Sequence, residues 1–145
     1  MIGSNLSLEF IRRPSDTWFV NKPFSPAIEV QLLDSDNCLQ TQVNGLIIRA
    51  SVTDGVNEVL SSTMSGGPVV GGSVEAVIQS GCAVFPNLRI MEVSSKHAKK
   101  FFHLVIDCKS NPSIRPAISQ ELRILSKNMD RKQPREDCMF DSLII

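Results

Sequence analysis

The sequence contains no tyrosine, a single tryptophan and only two histidines, and none of its four cysteines stands in a CxxC pair. Two histidines leave little for acid-base chemistry. Unpaired, widely spaced cysteines (Cys38, Cys82, Cys108, Cys138) fit neither a zinc site nor a disulfide-stapled scaffold, so free thiols are expected. No apolar run approaches the roughly 18 residues needed to cross a bilayer as a helix. The opening MIGSNLSLEF lacks the charged and apolar regions of a secretory signal, from which an intracellular (cytoplasmic or nuclear) protein with no membrane partner is expected. Nowhere do apolar residues recur at i, i+3, i+4 and i+7 over a dozen positions, which removes the main support for helical and α/β classes.

What is present is an ordinary globular composition, 42% hydrophobic and 21% charged, with a formal net charge of zero. The charge is unevenly placed. Residues 1–90 hold five Lys/Arg against eight Asp/Glu, whereas residues 91–145 hold ten against seven. The basic excess begins at Lys96 and can gather into a patch if loops converge.

Apolar residues alternate in short runs separated by Pro, Gly, Asn and Asp, the pattern of strands that bury one face. Leu6, Leu8 and Phe10 open the series, and Ile28, Val30 and Leu32 follow. Residues 46–52 form a third run that stops at the turn signal Asp54-Gly55, with a doubtful strand at 56–60. The glycine- and serine-rich stretch 61–73 reads as a flexible loop. Val74, Ala76 and Ile78 then turn through Ser80-Gly81 into residues 82–90, a predicted hairpin. Residues 101–108 and 118–124 supply the last strands. The expected core is Leu8, Phe10, Ile28, Val30, Leu32, Ile48, Val52, Ile78, Phe85, Leu88, Phe102, Leu104, Ile106, Leu122 and Ile124, with Trp18 in a connection capping one end.

The segment 8–37, LEFIRRPSDTWFVNKPFSPAIEVQLLDSDN, resembles the opening of bacterial-type immunoglobulin-like repeats, and the segment 82–125, with VFPNLRI, FFHLVIDC and ISQELRIL, resembles their closing strands. The latter also looks like the end of intracellular immunoglobulin-fold domains of the Rel, Runt and STAT kind. The resemblance implies an all-β, immunoglobulin-like two-sheet sandwich of seven to eight antiparallel strands over residues 1–126, followed by a polar tail, 127–145, with a short apolar end. The Cys-Trp-Cys arrangement and tyrosine corner of antibody domains are missing, because Trp18 precedes every cysteine and tyrosine is absent.

Each chemically suggestive motif meets a plainer reading. His103 and Asp107 share a strand face but stand about 13 Å apart at 3.3 Å per residue, and His103 and Cys108 point to opposite faces. Asp34-Ser35-Asp36-Asn37 reads as a turn held by Asx hydrogen bonds, since the glycine and glutamate positions of an EF-hand loop carry Leu39 and Gly45. The Gly-rich 65–72 lacks the Lys-Ser/Thr of a phosphate loop. Asn5-Leu6-Ser7 matches a glycosylation sequon by chance.

No catalytic residue, metal or cofactor is therefore expected. The leading expectation is a non-enzymatic interaction module of an intracellular regulatory protein, with a protein partner. The alternative is an immunoglobulin-fold nucleic-acid binder, and a third is an extracellular adhesion repeat. Arg12, Arg13, Lys96, Lys99, Lys100, Lys127, Arg131 and Lys132 are the candidate contacts in the first two readings, because Lys and Arg release counterions from phosphate and pair with acidic side chains.

Overall fold

A computed structural model of the chain describes residues 5–54, 60, 63, 66–97 and 100–126. Among these residues the fold is all-β. Its strands are β1 (Ser7–Arg12), β2 (Thr17–Phe19), β3 (Ile28–Leu33), β4 (Ile47–Thr53), β5 (Val70–Gly71), β6 (Glu75–Val77), β7 (Cys82–Phe85), β8 (Arg89–Ile90), β9 (His103–Cys108), β10 (Ala117–Ile118) and β11 (Arg123–Leu125). One sheet has the order β1-β3-β7 and the other β10-β9-β4-β6, with two short pairs, β11-β2 and β5-β8, beside them.

Alternation explains why these segments form strands and how they stack. In β3, Ile28, Val30 and Leu32 are fully buried while Glu29 and Gln31 face outward, and in β9 Leu104, Ile106 and Cys108 are buried between half-exposed neighbours. The inner faces of both sheets meet in one core that joins Leu8, Val30 and Phe85 to Ile48, Val52 and Ile106. That is a β-sandwich. Removing a fully buried Ile or Leu side chain down to Ala from such a core costs about 2–5 kcal/mol.

The expected core is buried with one exception. Phe10 is only half-buried, because it lies next to a bulge where the register with β3 shifts between Phe10 and Arg12. The predicted hairpin of 74–78 with 82–90 does not form: β6 pairs with β4 and β7 with β3, so the two runs belong to opposite sheets. Only Gln79 and Cys82 bridge the turn, and Ser80 and Gly81 both adopt positive φ there. Tight chain reversal at Gly81 also brings its Cα against the carbonyl of Gln40, where a side chain would clash.

Proline and serine cut two predicted strands into pieces. Pro86 cannot donate to a ladder, so 82–90 divides into β7 and β8, and β8 pairs instead with β5, a strand inside the stretch expected to be loop only. Ser119 ends β10. Its backbone N–H still donates to Leu104 O at 2.9 Å, but its side chain replaces the return bond, Oγ accepting from Leu104 N–H at 2.8 Å and donating to Gln120 O at 2.8 Å. The chain then resumes as β11.

The expectation of antiparallel strands alone also fails. β11 pairs in parallel with β2, Ile124 opposite Trp18. Trp18 is thus a strand residue rather than part of a connection. Pro14 closes β1, and the chain crosses from the first sheet to pair beside the second, where Phe102 and Leu122 bridge β9 to the start of β11. The doubtful strand at 56–60 lies outside the described residues except for Leu60, whose N–H donates to Val52 O at 2.9 Å. The tail 127–145, including Cys138, lies wholly outside them.

Candidate functional site

The turn after β2 builds one end of the sandwich. Trp18 stacks on Phe24 with ring centroids 5.7 Å apart, and its indole N–H donates to Lys22 O at 3.0 Å. These two contacts fix the ring. The Lys22 ammonium then folds back over it, 4.7 Å from the Trp18 centroid and 5.4 Å from that of Phe19, an arrangement favoured by the negative face of each ring.

Three backbone bonds seat this turn on the neighbouring strands. Val20 N–H donates to Leu125 O and Asn21 N–H to Ile90 O, both at 2.9 Å, while Ile124 N–H donates to the buried Ser94 Oγ at 2.9 Å. The last contact brings in a 3-10 turn, Ser94–Lys96, which carries Lys96 to the same end. Lys100 follows at positive φ, its N–H donating to His97 O. His97 itself is held between the buried Glu92, with Nε2 3.0 Å from Oε2, and the ring of Phe102 at 5.2 Å.

Arg89 is the centre of this end. Its Nη1 donates to Asn21 Oδ1 at 3.3 Å, and its Nε and Nη2 donate to Asn87 Oδ1 at 3.4 and 3.2 Å. Both partners are neutral amides, so they orient the guanidinium without cancelling its charge. Each amide is itself positioned by backbone geometry. Asn21 stands at φ 62°, and Asn87 presses its carbonyl on Gly72, where φ is 74° and no Cβ fits. The result is a fixed cation with Lys22 beside it on the adjoining turn, an arrangement suited to a carboxylate or phosphate oxygen.

The structure separates the residues expected to act together. Lys96 and Lys100 are exposed at this end. Arg12 and Arg13 are exposed at the end of β1, with Arg12 opposite Glu29 in register and Arg13 beside a cleft between β1 and β10. Lys99, Lys127, Arg131 and Lys132 lie outside the described residues. Lys22, Asn21, Asn87 and Arg89 were missed, because each is isolated in sequence and no run of basic residues marks it.

The other motifs take structural roles. Asp34 Oδ1 accepts from Asp36 N–H at 2.9 Å and Cys38 N–H at 3.0 Å, the Asx turn expected, and the Cys38 N–H foremost lowers the Asp34 carboxyl below its ordinary value. His103 Nδ1 is bonded to Ser119 O at 2.8 Å while Cys108 is buried on the opposite face. Cys38, Cys82 and Cys108 are free thiols. Among the described residues no group of three or more His, Cys, Asp or Glu is arranged to hold a metal, and no helix is long and apolar enough to cross a membrane.

Comparison with known proteins gives one match. No curated protein resembles the chain closely enough to count as a relative. A family described as the DG1062 N-terminal domain matches residues 11–141, which takes in nearly every strand of the sandwich. The chain therefore belongs to the DG1062 N-terminal domain family.

Proposed function

We propose that this domain is a non-enzymatic, immunoglobulin-like interaction module of an intracellular regulatory protein, and that it engages an acidic group of a protein partner through the end built on Arg89, Lys22 and Lys96. The observation that carries the reading is the Arg89 guanidinium held by two amide oxygens and left with its full charge. The strand order supports the immunoglobulin-like assignment: β1-β3-β7 face β10-β9-β4, as the first, second and fifth strands face the last two and the third in that fold.

A second reading, nucleic-acid binding, is favoured by the aromatic rings of Trp18 and Phe19 beneath Lys22, since rings flanked by cations offer stacking as well as phosphate contacts. Titration with polyglutamate and with single-stranded and duplex DNA at low and moderate salt separates the two. The leading reading expects polyglutamate to bind in a manner lost in Arg89→Ala, and preference for DNA by a steep salt dependence moves the assignment to the second. Absence of binding to either polymer at low salt removes both.

A further inference from the structure

The seam between β1 and β10 is the one place where the two sheets begin to join along their edges and then stop. Leu8 N–H donates to Arg115 O at 2.9 Å and Arg115 N–H to Leu6 O at 3.1 Å, a short parallel contact. It ends at once, because Pro116 has no N–H and Ala117 turns its backbone toward β9. The register shows this. Ala117 opposes Ile106 and Ile118 opposes Val105, while Ser119 N–H bonds Leu104 O, so residues 117 and 119 face β9 and the N–H and C=O of Ile118 face the open side. On the other wall the same alternation applies. Leu8 directs its N–H away from β3, so Phe10, two residues on, also directs its N–H into the seam.

Between these walls lies a cleft of about 190 Å³ lined by Leu8, Glu9, Phe10, Arg13, Pro116 and Ile118, among others. Ile118 is 60% exposed although it sits in a strand, and Ile11 beside the bulge is 46% exposed. Unpaired strand edges with apolar neighbours attract further strands. Here the edge is not blunted by charge on the β10 wall. The Arg13 guanidinium takes part in no ion pair among the described residues and stands at the far end of the cleft from Glu9 in the order of β1, which gives the cleft a polarity.

We infer that this seam is a strand-addition site: an extended segment of a protein partner enters between β1 and β10, bonding the free N–H and C=O of Ile118 on one side and the N–H of Phe10 on the other. Alternate apolar side chains of the segment cover Ile118 and Phe10, and an acidic residue meets Arg13. Main-chain bonds supply the affinity and the alternating pockets the selectivity, as in other complexes formed by adding a strand to a sheet edge. The site is separate from the Arg89 end, and neither depends on the other.

The test is to pan the full chain against a displayed library of random twelve-residue peptides, then follow the selected peptides by amide exchange and with three variants. The expected peptides alternate apolar and polar residues and carry Asp or Glu toward one end, and their binding slows exchange of the Ile118 amide. Ile118→Pro removes a donor that β9 does not use, so the thermal midpoint holds while affinity falls at least about tenfold, the loss of one well-placed contact. Arg13→Glu weakens acidic peptides, and Arg89→Ala leaves all of them unchanged. Selected peptides without alternation, unaltered affinity in Ile118→Pro, or unchanged exchange at Ile118 would each overturn the inference. Should Ile118→Pro fail to fold, Ile118 exchange in the parent chain and the Arg13→Glu response decide it alone.

Discussion

Arg89 and Asn21 lie 68 positions apart in sequence, yet the Arg89 guanidinium donates to the Asn21 side-chain oxygen at 3.3 Å. The contact is made possible by two backbone features: the Asn21 N–H bonded to Ile90 O, and the positive φ that turns Asn21 toward β8. It converts an isolated arginine into a fixed, uncompensated charge beside Lys22.

Gly72 is where that geometry is most exposed to substitution. At φ 74°, with the carbonyl of Asn87 against its Cα, an alanine must both adopt an unfavourable backbone and displace Asn87. Gly72→Ala is expected to lower stability by about 1–3 kcal/mol and to weaken the Arg89 contacts, measured by chemical denaturation and by ligand affinity on the same protein. Wild-type values for both would remove Gly72 from the account.

Ser119 bridges the break between β10 and β11 and is almost fully buried. Ser119→Ala leaves the Leu104 N–H without its 2.8 Å acceptor, an orphaned buried donor that costs about 1–3 kcal/mol. Slower-exchanging amides should lose protection first at Leu104. Equal stability of variant and parent would show that another acceptor replaces the hydroxyl.

Asp34 makes stability depend on acid. Its folded carboxyl titrates below the ordinary value of 3.8, chiefly because the Cys38 N–H bonds the charged form. The unfolded chain therefore takes up the proton first as pH falls. The stabilisation is complete above the unfolded value and is lost as pH drops through the lower, folded one. Asp34→Asn is expected to be less stable than the parent near neutrality, and the two should converge below about pH 3 as the parent carboxyl is protonated. A difference that persists unchanged at low pH contradicts this.

Core faces were legible in the sequence because alternation is a local signal. Ile28, Val30 and Leu32 needed no partner to announce which side they bury, and Leu104 and Ile106 did the same in β9. Pairing was less legible. Val74, Ala76 and Ile78 lie close in sequence to residues 82–85, and chain proximity favoured a hairpin, but the Ser80-Gly81 reversal sends the chain across the sandwich. The parallel pairing of β2 with β11 joins segments of three residues from the two ends of the described chain, and no local pattern encodes it.

The candidate site was legible only in part. Density of charge pointed to Lys96 and Lys100, which the structure places at the right end, and to Arg12 and Arg13, which it places elsewhere. Arg89 and Lys22 carry no such mark. Their importance comes from what folding brings beside them: two asparagines for the one, two aromatic rings for the other.

The chain's single tryptophan lies directly beneath Lys22, so it reports on the site without a label. The most direct test is Trp18 fluorescence during titration with polyglutamate at low and moderate salt, in the parent and in Arg89→Ala. The account predicts a saturable change that weakens with salt and disappears in the variant. No change at low salt, or the same change in Arg89→Ala, would contradict it.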